Sequence, residues 1–199
     1  VDGINRIMLK NILKEKKIAY DYTVDSVKAP GYGPEVVTAS LEEIWPYINR
    51  QMLYGHHLGL KGNMKKLFDN QDPKAMKLHR QILDVKTNII EKNVCRPKGM
   101  YQFFKVRCDG ETMVILSEDE SQELQRFTFP RQPEGYQFCL TDFIHPDQVD
   151  TLCFFVVTSG FEILDYAKEL KEKEAFLASH IANSIGLEVA EGFAEYLHQ

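Results

Sequence analysis

"MYQFFKVRCDGETMVILS", residues 100–117, decides the fold. Two runs rich in aromatic and β-branched residues flank Asp109-Gly110. Asp-Gly between such runs is a strong hairpin signal, because the tight turn needs backbone at positive φ. "ELQRFTF" (123–129) follows as a third strand. "YQFCLTDF" (136–143) and "TLCFFVVTS" (151–159) read as two more. Short neighbouring strands joined by tight turns predict an antiparallel sheet.

Helical patterns lie on both sides of this meander. Residues 3–18, "GINRIMLKNILKEKKI", set Ile4, Met8 and Ile12 on one side with Leu9 and Leu13, an amphipathic helix with a basic end. Pro30, Gly31, Gly33 and Pro34 then mark an irregular connection. Ser40 with Glu43 three residues on forms a capping box at the next helix start. Pro46 sits too deep for a regular helix there, so either the first turn is kinked or the helix begins at Pro46. Asp72 before Pro73 is an N-cap followed by the favoured first helical residue. Ala75, Leu78, Ile82, Val85 and Ile89 continue it as the core stripe of a long helix. Two more helices are expected over about 161–173 and from 175 to the last residue. Helices and strands in separate runs argue α+β rather than a doubly wound α/β fold.

Composition narrows the function. The 199 residues are 44% hydrophobic and 27% charged with a net charge of −5. That is the balance of an ordinary globular domain, with no basic footprint for nucleic acid and no apolar run of membrane-spanning length. Cys95, Cys108, Cys139 and Cys153 lie far apart and read as free thiols of a reducing, cytoplasmic setting.

The usual catalytic patterns are missing. "KAPGYG" (28–33) has glycines, but a strand-like "PEVVTAS" follows where a phosphate loop needs a helix N-terminus, so it reads as a turn. His56 and His57 are adjacent and cannot chelate one metal. His79, His145, His180 and His198 make no ligand pair on one helix face. No nucleophile elbow is present. Asp142 is expected at a strand end, where it would serve either catalysis or the capping of the next loop. On the last helix Ile181, Ile185, Val189, Phe193 and Tyr196 share a face. Glu191 falls nearly opposite Val189, beside Glu188 and Glu195, which periodicity alone assigns to solvent. The residues by themselves describe an α+β domain with no self-contained catalytic apparatus.

Several stretches in one order carry a resemblance: "LEEIWPYINRQMLYGHHLG" (41–59), "MYQFF" (100–104), "FTFPRQ" (127–132), "FCLTDFIHP" (138–146), "FFVVTSG" (154–160) and "EVAEGFAEYLHQ" (188–199). Together they resemble the activation domain of cobalamin-dependent methionine synthase, from about Pro30 to Gln199. The resemblance implies a C-shaped α+β domain with a twisted antiparallel sheet over residues 29–199, preceded by an N-terminal helix and linker over 1–28. It implies S-adenosylmethionine as methyl donor and a cobalamin held by a partner domain or subunit. Flavodoxin or another donor would supply the electron that returns cob(II)alamin to methylcobalamin. The cofactor would do the chemistry and the protein the binding and orientation, in keeping with a chain that has no catalytic residue or metal set of its own. Glu43 and Glu191 fall where the family has acids that meet the ligand, and acids suit an ammonium and a sulfonium. The family's Arg-x-x-x-Gly-Tyr-Pro ligand motif comes after this helix, so the region is expected to lack it. Tyr32 in "KAPGYG" is not its counterpart. The rival reading is a docking module of the same fold that meets a corrinoid or electron-transfer protein without binding S-adenosylmethionine. An unrelated hydrolase is a third, which the missing motifs disfavour.

Overall fold

A computed structural model describes residues 28–199. The amphipathic helix read over 3–18 lies outside them. Described residues up to Pro34 form one compact unit with Tyr101–Phe154, and Glu35–Met100 form another with Phe155–Gln199.

The second unit is mostly helical, and local chemistry sets its boundaries. A short strand, β1 (Glu35–Thr38), leads into α1 (Leu41–Ile44). The predicted capping box closes α1: the Glu43 N–H donates to Ser40 Oγ at 3.2 Å, and the Ser40 N–H donates to Glu43 Oε2 at 2.7 Å. Pro46 then ends the α-helical ladder, because it has no N–H to continue it, and Trp45–Tyr47 form a 3₁₀ turn. A π-helix follows over Gln51–His57. After α2 (Met64–Asp69) comes α3 (Pro73–Glu91), where Asp72 Oδ1 accepts from the N–H groups of Lys74 at 3.0 Å and Ala75 at 2.9 Å. Ala75, Ile82, Val85 and Ile89 are buried as the periodicity predicts, and Leu78 packs partly buried beside them.

The first unit holds the hairpin. β2 (Lys98–Asp109) pairs antiparallel with β3 (Thr112–Leu116), Asp109 facing Thr112 across a turn in which Gly110 takes φ +63°. β3 pairs in turn with β4 (Glu123–Thr128). The strand order is β1-β2-β3-β4, and β5 (Asp150–Thr158) pairs with β2. A small core of Val106, Met113, Ile115 and Ile144 lies in this unit.

One expected strand is absent. Residues 136–143 do not join the sheet; Leu140–Phe143 form a 3₁₀ turn. The reason is Asp142, which is buried. It accepts the Cys139 N–H at 3.0 Å and holds the Arg131 guanidinium through two hydrogen bonds, at 2.9 and 2.8 Å. A side chain that caps a turn and grips an arginine fixes the backbone in a conformation no strand can adopt. Of the two roles open to Asp142, the capping one is observed.

The chain returns through α4 (Glu162–Glu172) to α5 (Phe176–Leu197), which runs through the main core of the second unit. No helix of the described residues is long and apolar enough to cross a membrane.

Candidate functional site

Past its first turn α5 is buried around most of its circumference, with His180, Leu187, Glu191 and Glu195 left exposed. Gly186 and Gly192 permit this. A Cβ on Gly186 would stand 3.2 Å from Ile163 Cγ2, and one on Gly192 would stand 3.2 Å from Ile44 Cγ2 and 3.4 Å from the Tyr47 carbonyl carbon. The glycine at 192 therefore lets the segment after α1 lie directly against α5.

A cleft of about 360 Å³ opens where these two segments meet, lined by Tyr47, Asn49, Glu188, Glu191, Gly192 and Glu195. Glu191 is exposed, and Glu188 is buried at 1% exposure. Among the described residues no lysine or arginine lines the cleft with its three carboxylates. Such a lining suits a ligand that brings positive charge.

Glu188 is the residue that periodicity misassigned. It was expected on the solvated face with Glu191 and Glu195. Instead its Oε1 meets His57 Nε2 at 2.8 Å, and its Oε2 has no hydrogen-bond partner among the described residues. Burial pushes its carboxyl above the usual range; the His57 hydrogen bond pulls the other way, and the charge of Glu191 raises it further. The π-helix brings His57 to this point. π-turns are rare and recur at functional sites. The signal available in the sequence was the pair of helix-interior glycines, which marks faces pressed against neighbouring chain. The partner at His57 lies 131 residues away and left no local trace.

Glu43 sits elsewhere. Its Oε2 accepts the backbone N–H and the hydroxyl of Ser40, which hold its carboxyl below the usual range, the backbone bond contributing most. It does not line the cleft that Glu191 lines. The structure thus does not bring the two expected ligand acids into one lining. The "KAPGYG" stretch is a turn: β1 follows it, and the Tyr32 carbonyl accepts from Gln102 Nε2 at 2.8 Å.

The described residues thus form an α+β domain, helices and an open antiparallel sheet in separate runs, whose last helix lines an acidic cleft. The family described as "Vitamin B12 dependent methionine synthase, activation domain" matches residues 40–199, and the chain belongs to that family. Methionine synthase of Mycobacterium tuberculosis (strain ATCC 25618 / H37Rv) is 34% identical over 109 residues, covering 50% of this chain. That of Mycobacterium leprae (strain TN) is 32% identical over 109 residues, again 50% of the chain. The chain spans only 9% of the length of each of these relatives. Among solved structures, the MetH reactivation domain bound to AdoHcy superposes with a TM-score of 0.80 at 22% identity, over 90% of this chain and 58% of that one. That likeness establishes the shared fold.

Proposed function

We propose that this chain is a reactivation module that binds S-adenosylmethionine and presents its methyl group to a cobalamin held by a cobalamin-binding domain or subunit. One electron from flavodoxin or another donor reduces cob(II)alamin. The reduced cobalt then takes the methyl group, the carbon–sulfur bond breaks with its electron pair left on sulfur, and methylcobalamin and S-adenosylhomocysteine result. The observation that carries this reading is the acidic cleft on α5, whose lining offers carboxylates and no cation. Its fit to an ammonium and a sulfonium is supported by the buried, unpartnered Glu188 Oε2. Family membership and the AdoHcy bound to a protein of the same fold point to the same ligand.

We assign Glu191 to the ligand, through charge-assisted hydrogen bonding to its ammonium. Glu43 is assigned to closing the α1 entry, because Ser40 already occupies one of its oxygens.

Calorimetric titration of S-adenosylmethionine into the chain, with S-adenosylhomocysteine as comparison, tests the reading. Saturable binding is expected, weakened more by Glu191→Gln than by Glu195→Gln. Equal effects of the two substitutions would remove Glu191 from the site. Absence of binding at millimolar ligand would favour the docking module, which draws on exposed apolar side chains such as Phe161, Phe176 and Leu187.

A further inference from the structure

The acid at 188 is the strangest group in the described structure. An ionised carboxylate buried away from water is strongly disfavoured unless it is paired and its oxygens are hydrogen-bonded. Glu188 meets half of that requirement. His57 Nε2 holds Oε1 at 2.8 Å, and Oε2 is buried with no partner. Buried side-chain polar atoms without partners are few in native proteins, and each calls for a reason. Among the described residues Glu188 Oε2 is the only such atom.

The surroundings deepen the problem. Two more carboxylates, Glu191 and Glu195, line the same cleft from the same helix. From the facing segment come Tyr47 and Asn49, neither of them cationic; of the neighbours that shift the Glu188 carboxyl the Asn49 backbone N–H does so least, lowering it, and it makes no hydrogen bond to Oε2. His57 is the side chain that bonds the carboxylate. It is itself anchored twice: its backbone carbonyl accepts from His180 Nε2 at 2.8 Å, and its ring stands edge-on to His56 with centroids 5.3 Å apart. So no lining side chain completes Glu188 where it lies, and the residue lines an open cleft of the size that admits part of a small molecule.

We propose that Glu188 is a ligand-binding residue of this cleft: its free Oε2 receives the organic ammonium of the ligand, while His57 is the positioning residue that holds the carboxylate through Oε1. This rests on reading the cleft as the S-adenosylmethionine site, and it adds a second acid, deeper than Glu191, to that site. The division of labour follows from position. Glu191 is exposed and able to meet an arriving cation, and Glu188 completes its bonding only once the cation is seated. The burial that disfavours the free carboxylate strengthens its bond to a seated ammonium, because water no longer competes.

The test uses the whole chain and three probes. S-adenosylhomocysteine carries nucleoside, thioether and ammonium. Methylthioadenosine carries the nucleoside and thioether without the amino acid. Methioninamide carries the ammonium without the carboxylate or the nucleoside. Each is titrated into the unaltered protein and Glu188→Gln by calorimetry, with the His57 ring resonances followed by NMR.

Glu188→Gln is expected to weaken S-adenosylhomocysteine binding by roughly tenfold or more, the size of a lost charge-assisted hydrogen bond. Methylthioadenosine should bind both proteins alike, and the His57 resonances should move only when an ammonium is bound. If Glu188→Gln binds S-adenosylhomocysteine as the unaltered protein does, or loses methylthioadenosine equally, the proposal is overturned and Glu188 is structural. If neither nucleoside binds but methioninamide moves His57 in the unaltered protein and not in the variant, the ammonium site stands and the S-adenosylmethionine reading falls. If no probe moves His57, the proposal fails. His57→Gln keeps a donor for Oε1 and loses the titratable ring, so it serves where Glu188→Gln does not fold. Its affinity for S-adenosylhomocysteine should begin to fall at a higher pH than that of the unaltered protein, because Glu188 has lost a cationic neighbour. An unchanged pH profile would remove His57 from its positioning role.

Discussion

The two long helices of the helical unit differ in what surrounds them. α3 starts on a side-chain cap, carries Pro73 at its first position and buries one stripe, with Ile82 and Ile89 fully inside and Leu83 and Ile90 partly exposed. α5 starts at Ala175 with no side-chain cap and is buried on several sides at once, polar residues included. Its hydroxyls find partners nearby, Ser179 Oγ donating to the Ala167 carbonyl at 2.6 Å and Ser184 Oγ to the His180 carbonyl at 2.8 Å. A helix with one wet face announces its core by periodicity. Past its first turn α5 keeps only a narrow wet stripe through His180, Leu187, Glu191 and Glu195 and places Ser, Gly and Glu inside, each with its own reason, so hydropathy alone does not mark its buried face.

The largest effect should come from α5. Phe193 is fully buried and packs against Tyr196. Phe193→Ala should cost about 3–5 kcal/mol, and Ile82→Ala on α3 about 2–5 kcal/mol. Chemical denaturation of both variants should place the α5 loss above the α3 loss. The reverse order would mean that α5 relaxes into the space more freely than its packing indicates.

Gly192→Ala sharpens the same contrast. Alanine gains about 1 kcal/mol over glycine inside a helix. Against that, its methyl would press on Ile44 and the backbone of Tyr47, and overpacking costs about 1–3 kcal/mol. A net loss of about 1 kcal/mol is expected, together with weaker ligand binding, because Tyr47 lines the cleft. A more stable variant with unaltered binding would show that the segment after α1 is not held where it lies. On α3, removing the cap by Asp72→Ala should cost about 1 kcal/mol and leave ligand affinity unchanged. Thermal melts paired with the calorimetric titration separate the two cases.

What was legible in the sequence was what neighbouring residues decide. Ser40 with Glu43, Asp72 with Pro73, and Asp109 with Gly110 each set their structure within a few positions, and each is found as expected. Residues 136–143 alternate well enough to pass for a strand, but Asp142 takes its partner from Arg131 and folds them into a turn. The cleft was half legible. The resemblance pointed to Glu191, which lines it, whereas Glu188 depends on His57 across the chain and on two close helix contacts that no spacing encodes. Short-range chemistry is written in order along the chain; long-range satisfaction of a buried charge is not.

The smallest effects should be those of pH, and they oppose each other in the two units. In the sheet unit, Asp119 accepts from the hydroxyls of Ser117 at 2.6 Å and Ser121 at 2.8 Å. These bonds, that of Ser117 first, hold its carboxyl down at about 2 against an ordinary 3.8. A lowered folded-state value means that the contribution is complete above 3.8 and is lost as pH falls toward 2. Glu188 has the opposite sign. Its folded-state value lies above the ordinary 4.5, chiefly through burial, so the cost of ionising it is absent below 4.5, grows above that, and is complete once pH has passed the folded-state value. Asp119→Asn should therefore lower the melting temperature at neutral pH and lose that effect near pH 2. Glu188→Gln should gain on the unaltered protein as pH rises above about 4, because the glutamine has no charge to bury. Melting curves of both variants across pH decide it. A Glu188→Gln difference that runs the other way would mean that the His57 pair outweighs burial, and that the carboxylate is already satisfied without a ligand.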